Sequence, residues 1–175
     1  MFGMKNLFFF VIAVVFAMTT LAQFTPTADA VLKEARAKAA KENKKIMVIF
    51  HASWCGWCHK MDTSLNDPSV KDFFQKNYVI THLVISESKD KKSLENPGAE
   101  ELNKKWGGGD QGIPFWVIMD KDGSILADSQ RKPGENVGCP ATAEEVEHFI
   151  TVLKKTSSIS DKQIEVVEKR FRKNE

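Results

Sequence analysis

Two cysteines in the spacing Cys55-Gly56-Trp57-Cys58 stand where an apolar run stops and a helical pattern starts, and this junction limits what the chain can become. Thiols two residues apart can be held one helical turn from each other, close enough to form a disulfide. The run before them, Lys45-Ile46-Met47-Val48-Ile49-Phe50, is too short for a separate helix and rich in β-branched and aromatic residues. It reads as a buried strand that delivers the thiols to a sheet edge. At the helix start they meet unpaired N–H groups and the positive end of the helix dipole, which favour a thiolate. Cys55 is therefore expected to be the acidic, exposed nucleophile, and Cys58, one turn in, the buried resolving thiol. The pair itself is the expected redox centre, with no further cofactor.

Three cysteines do not make a disulfide-stapled scaffold out of 175 residues. Closing so short a loop gains little chain entropy, so the pair is there for chemistry. A content of 42% hydrophobic and 27% charged residues suits one globular domain with a full core. The start reads as an export signal: Lys5 supplies the charge, Leu7 to Met18 the apolar run, and Thr20-Leu21-Ala22 the small residues a signal peptidase reads. That run is short of the roughly 20 residues needed to span a bilayer, so cleavage after Ala22 is expected and stable membrane insertion is not. No cysteine there could carry a lipid, and Arg172-Lys173-Asn174-Glu175 is not a retention signal, so a periplasmic or secreted location is expected. The expected organisation is a signal peptide at 1–22 and a single domain at 23–175. Lys5 is the one charged residue of the first 22, which leaves +1 of the total +2 on the remainder. Near-neutral charge with interspersed signs argues against nucleic acid as a partner.

The periodicity predicts a helix over 27–43, with Val31 or Leu32, Ala35 and Ala39 as its apolar stripe, and a helix running from the thiols to Leu65. Asp67 is the expected N-cap of the turns that follow, with Pro68 at their start and Val70, Phe73 and Phe74 turned to the core. Residues 78–86 alternate and carry apolar side chains on both faces, which predicts a central strand. The lysine-rich stretch 86–96 reads as a solvated connection without function. A helix from Pro97, capped by Asn96, is expected to end before Gly107-Gly108-Gly109, a flexible loop beside the thiols. Residues 115–119 and 124–127 predict a hairpin around Asp120-Lys121-Asp122-Gly123. Capping boxes at Thr142 and Ser160 predict two final helices, the second with Ile164, Val167 and Phe171 on one face. Trp106 and Trp116 are assigned to packing.

The Trp-Cys-Gly-Xaa-Cys stretch after its strand, joined by Gly112-Ile113-Pro114-Phe115-Trp116-Val117-Ile118, resembles the thioredoxin superfamily and, within it, exported bacterial thioredoxin-like proteins. The resemblance spans roughly residues 28–155. It implies an α/β fold with a central mixed sheet flanked by helices, to which the helix near 160–173 is an addition. The family usually has a leading strand, for which only Gln23-Phe24-Thr25 is available here. The resemblance also implies that Cys55 attacks a substrate disulfide and Cys58 resolves the mixed disulfide. Pro114 would be a cis-proline packed against the thiols, with the Ile113 backbone pairing with substrate in β fashion. Trp54, Gly56 and Trp57 would complete the substrate surface. Protein disulfides are the implied substrates, a membrane-linked electron donor the implied partner, and a monomer the expected state. Isoleucine before the proline favours a reductase over an oxidase or isomerase. Gly-Trp between the cysteines, where thioredoxins commonly carry Gly-Pro, leaves the potential open. Thioredoxins also place a buried carboxylate six residues before the nucleophile, and here that position is Ile49. Proton transfer at Cys58 then needs water or another group, and His51 and His59 are the candidates, although histidines near a site are often bystanders.

Two other chemistries fit part of the pattern. Cys55-Gly56-Trp57-Cys58-His59 matches the C-x-x-C-H haem-attachment motif, but a buried strand before it and an Ile-Pro before another strand suit an α/β redox fold. A soft-metal module using Cys55, Cys58 and a nearby histidine, as in copper handling, is the other, yet no second ligand pair at zinc-site spacing accompanies the cysteines. Cys139, in Asn136-Val137-Gly138-Cys139-Pro140, is expected to be a free or packed thiol rather than a third redox group.

Overall fold

The computed structural model describes residues 24–175, so the expected signal peptide and its cleavage point at Ala22 lie outside the described residues. The elements run α1 (Ala28–Glu42), β1 (Lys45–His51), α2 (Gly56–Leu65), α3 (Lys71–Asn77), β2 (Tyr78–Val84), a 3-10 turn (Lys89–Leu94) and α4 (Ala99–Lys105). There follow β3 (Phe115–Met119), β4 (Ile125–Asp128), α5 (Ala143–Thr156), α6 (Asp161–Phe171) and a closing 3-10 turn (Arg172–Asn174). The strands form one mixed sheet in the order β2-β1-β3-β4. β1 is parallel to β2, which requires the α2–α3 crossover, and antiparallel to β3.

Alternation along the two central strands divides the core. Ile46, Val48 and Phe50 of β1 and Phe115, Val117 and Met119 of β3 face α1 and α4, meeting Leu32, Ala35, Ala39 and Ala99. Met47, Ile49, Trp116 and Ile118 face the opposite layer, built from α2, α3, α5 and α6 around Met61, Phe74, Phe149 and Phe171. Both faces being covered explains why β1 and β3 read as continuous apolar runs. α1 keeps its expected stripe, capped by the Thr27 hydroxyl and closed by Asn43 in the left-handed region. Both expected capping boxes form, at Thr142–Glu145 and Ser160–Gln163.

Phe24 and Thr25 are irregular, and Phe24 is exposed, so among the described residues the family's leading strand is missing. Pro26 lacks the N–H that would extend such a ladder. Several expectations are corrected. β2 lies at the sheet edge rather than its centre; its two apolar faces reflect helices on both sides, not strands on both sides. Asn96 does not cap α4. Its side chain accepts from Val84 N and donates to Pro26 O, and the N-cap is Gly98 at φ +85. Asp67 caps the turn over residues 68–70 as expected, accepting from Ser69 N and Oγ, and α3 starts after that turn at Lys71. The glycine loop is packed rather than open: a Cβ at Gly108 would sit 2.1 Å from Asn103 Oδ1 and 2.6 Å from Phe115 Cδ1.

Candidate active site

β1 ends at His51 and the chain passes through Ala52-Ser53-Trp54 to place Cys55 as the N-cap of α2. Cys55 and Cys58 are joined by a disulfide, with their Cα atoms 5.2 Å apart. The sulfur of Cys55 accepts the Cys58 backbone N–H at 3.1 Å, so an orphan donor of the first helical turn points at the atom that would carry the thiolate charge. Ile113 O lies 3.6 Å from the same sulfur. The Ile113–Pro114 peptide is cis, and Ile113 packs against Ala52, Cys55 and Cys58. The expected contrast in exposure is absent in this disulfide form. Cys55 is 4% exposed and Cys58 2%, because Ala52 and Ile113 close over both sulfurs.

The surface around the pair is open and carries two exposed indoles among polar side chains. Trp54 and Trp57 are 59% and 49% exposed. Trp54 is held by its indole N–H, which donates to Ser86 O, and Trp57 by the Lys60 ammonium 4.4 Å above its ring. A Cβ added at Gly56 would meet nothing within 4 Å, so the exposed edge of the first turn leaves room for a partner chain. Beyond Trp57 a shallow groove of about 210 Å³ runs along Gly112, Ile113 and Pro114 to Asn136 and Gly138. The candidate site residues thus lie in one region, with Trp54, Gly56 and Trp57 exposed, Ile113 half-buried, and Cys55, Cys58 and Pro114 buried.

Other residues of this surface were not visible in the sequence. Glu87 is buried, and its carboxylate accepts from both the backbone N–H and the hydroxyl of Ser53, which fixes the loop before Trp54. It lies within a polar, lysine-rich run where periodicity carries no signal. Asn136 donates to Pro114 O at 3.0 Å and accepts from Gly138 N, pinning the groove's far wall to the cis-proline. Cys139 is close in space to the groove, yet buried: desolvation pushes its thiol up from 9.0 to about 12.

The position of the missing carboxylate is filled by buried Ile49, as expected. Neither candidate histidine hydrogen-bonds to a sulfur among the described residues. His59 is exposed, with Nε2 3.0 Å from Ser53 O. His51 instead lies beside His82, with ring centroids 4.7 Å apart and the planes tilted by 50°, and His82 Nε2 lies 2.8 Å from Asp62 Oδ1. Burial first, and then repulsion from His82, holds His51 below its usual range. For Asp62, burial pushes the carboxyl up, but the His82 hydrogen bond and the charges of His82, His51 and His59 outweigh it and the net shift is downward.

Residues 27–121, more than half of the chain, match the model of a family described as thioredoxin-like. No curated protein matches the chain. Similar solved structures include a disulphide isomerase from Xylella fastidiosa Temecula1, at 18% identity over 82% of this chain and 87% of that one, TM-score 0.49. Another is a thioredoxin from Thermus thermophilus, at 21% identity over 70% and 81%, TM-score 0.45. A third is the oxidised C-terminal domain of DsbD from Neisseria meningitidis, at 22% identity over 75% and 98%, TM-score 0.44.

Proposed function

Because the chain belongs to the thioredoxin-like family, we propose that its Cys55–Cys58 dithiol reduces disulfides of other proteins, in the periplasm or outside the cell. The observation that carries this reading is the Cys58 N–H donated to Cys55 Sγ at 3.1 Å, on a site rimmed by exposed Trp54 and Trp57. In the reduced protein the same N–H and the α2 dipole stabilise a Cys55 thiolate. That thiolate attacks one sulfur of a substrate disulfide and the other substrate sulfur leaves as a thiolate. Cys58 then gives up its proton and attacks Cys55 Sγ, releasing the second substrate thiolate and closing Cys55–Cys58. Two electrons pass from the dithiol to the substrate, whose two thiolates take up protons. An extended substrate segment lies along Gly112-Ile113-Pro114, with the indoles of Trp54 and Trp57 on its flanking side chains. Isoleucine before the cis-proline, by family resemblance, favours reduction over oxidation or isomerisation. Export by the 1–22 segment then requires a membrane-linked donor to reduce the pair again.

The test is exchange on insulin disulfides with dithiothreitol, followed by trapping. Cys55→Ser should abolish insulin reduction. Cys58→Ser keeps the attacking thiol but cannot release product, so it should accumulate mixed disulfides that reducing agent dissolves. Trapping by Cys55→Ser instead would reverse the assigned polarity, and trapping by neither would remove the reading.

A further inference from the structure

The end of β1, the middle of β2 and the sheet-facing side of α2 bring together three side chains that thiol exchange does not use: His51, His82 and Asp62. One ring nitrogen of each histidine and one carboxylate oxygen lie within 4.8 Å of one another. His82 Nε2 and Asp62 Oδ1 are 2.8 Å apart, and the two imidazoles face each other at 4.7 Å and 50°. The buried Nδ1 of His51 has no hydrogen-bond partner among the described residues. From this juxtaposition we infer that His51, Asp62 and His82 form a binding site for a divalent transition-metal ion of borderline softness, with Zn²⁺ as the reference ion.

The donor set selects the class of ion. Two imidazoles and one carboxylate offer too few oxygens for Ca²⁺ or Mg²⁺ and no thiolate for Cu(I), whereas zinc takes this set with a fourth position left for water. Metal–ligand lengths of about 2.0–2.2 Å put tetrahedral donors about 3.3 Å apart. His82 and Asp62, now 2.8 Å apart, need only part slightly to reach that spacing, and the His51 nitrogen, within 4.8 Å of both, needs to close by at most about 1.5 Å. Each donor stands on a different regular element, so the backbone that carries the site is rigid. Asp62 and His82 also line an open groove of about 430 Å³, which gives the ion and its water a route in. Lys38 and Lys44 share that groove; they weaken its attraction for a cation but supply no competing donor to it. Asp62 is four residues after Cys58 on α2, so a bound ion ties the active-site helix to β1 and β2. The site is independent of the redox reading, since none of its donors is a thiol.

The experiment is calorimetric titration of Zn²⁺ into the oxidised protein without a histidine tag, where Cys55 and Cys58 are unavailable as ligands. One ion should bind per chain. Replacing an outer-shell partner of a metal costs about tenfold in affinity, and His82→Gln, Asp62→Asn and His51→Gln should each cost at least that. The remaining histidines, His59 and His148, serve as controls, and His59→Ala and His148→Ala should bind as the parent does. Imidazole NMR signals of the unaltered protein give a reading that no folding defect can mimic: Zn²⁺ should move those of His51 and His82 and leave His148 in place. Absence of binding at millimolar Zn²⁺, binding indifferent to the three substitutions, or binding lost in His59→Ala would each overturn the site.

Discussion

Cys55 and Cys139 show how far one side-chain type can be driven apart by its surroundings. Cys55 accepts a helix N-terminal N–H, whereas Cys139 is enclosed in the α5–α6 layer, and burial pushes its thiol up to about 12. That burial makes its thiolate much scarcer at pH 8 than that of an unperturbed cysteine. In the reduced native protein, iodoacetamide at pH 8 should therefore label Cys55 and spare Cys139, which should react only in denaturant; comparable native rates would contradict the burial. The linkage has one sign. The folded state holds this proton above pH 9, where the unfolded thiol loses it, so its contribution to stability is complete below about 9 and is lost as pH rises towards about 12. Cys139→Ser should leave insulin reduction nearly unchanged. Which cysteines form the centre was legible, because a two-residue spacing at a strand–helix junction has few other uses. Glu87 and Asn136 were not legible, because each acts on a backbone group 34 or 22 positions away in the chain, and a lone polar residue in a loop carries no periodic signal.

The added C-terminal element is bound to the element that carries the thiols. Asn174 accepts from Lys60 Nζ through its backbone oxygen and from Ser64 Oγ through its side chain, and its amide donates to Pro140 O. Arg170 Nε stands 2.8 Å from Asp67 Oδ2, an ion-pair distance but off hydrogen-bond alignment. Phe171 is fully buried, 4.8 Å from the Phe149 ring and 6.2 Å from Phe74. Phe171→Ala should thus cost about 3–5 kcal/mol in urea unfolding, the range for a deleted core aromatic. A loss below about 1 kcal/mol would show that α6 is an appendage. The helix itself was legible, since the Ser160–Gln163 box and the Ile164, Val167, Phe171 spacing are local signals. Its fastening to α2 was not, because Asn174 meets Ser64 across 110 residues. The edge position of β2 was hidden for a similar reason: alternation reports which faces are covered, and cannot report how many strands lie beside it.

At the scale of the molecule, a mixed sheet covered on both faces brings the disulfide, the cis-proline and the two exposed indoles together at the C-terminal end of β1. The fold class was legible through the family resemblance carried by the Cys55–Cys58 stretch and the Ile113-Pro114 strand, with which the apolar strands and helix caps agree. The sense of the reaction was less legible, because it depends on a small difference between thiolate and disulfide stability that residue types bound only loosely. The most direct measurement is therefore the equilibrium of the Cys55–Cys58 couple with glutathione buffers of stepped composition, read by mass after alkylation. A reductase should give a potential within a few tens of millivolts of the thioredoxin value of about −270 mV. A value as oxidising as protein disulfide isomerase, about −180 mV, or more so would contradict the assignment.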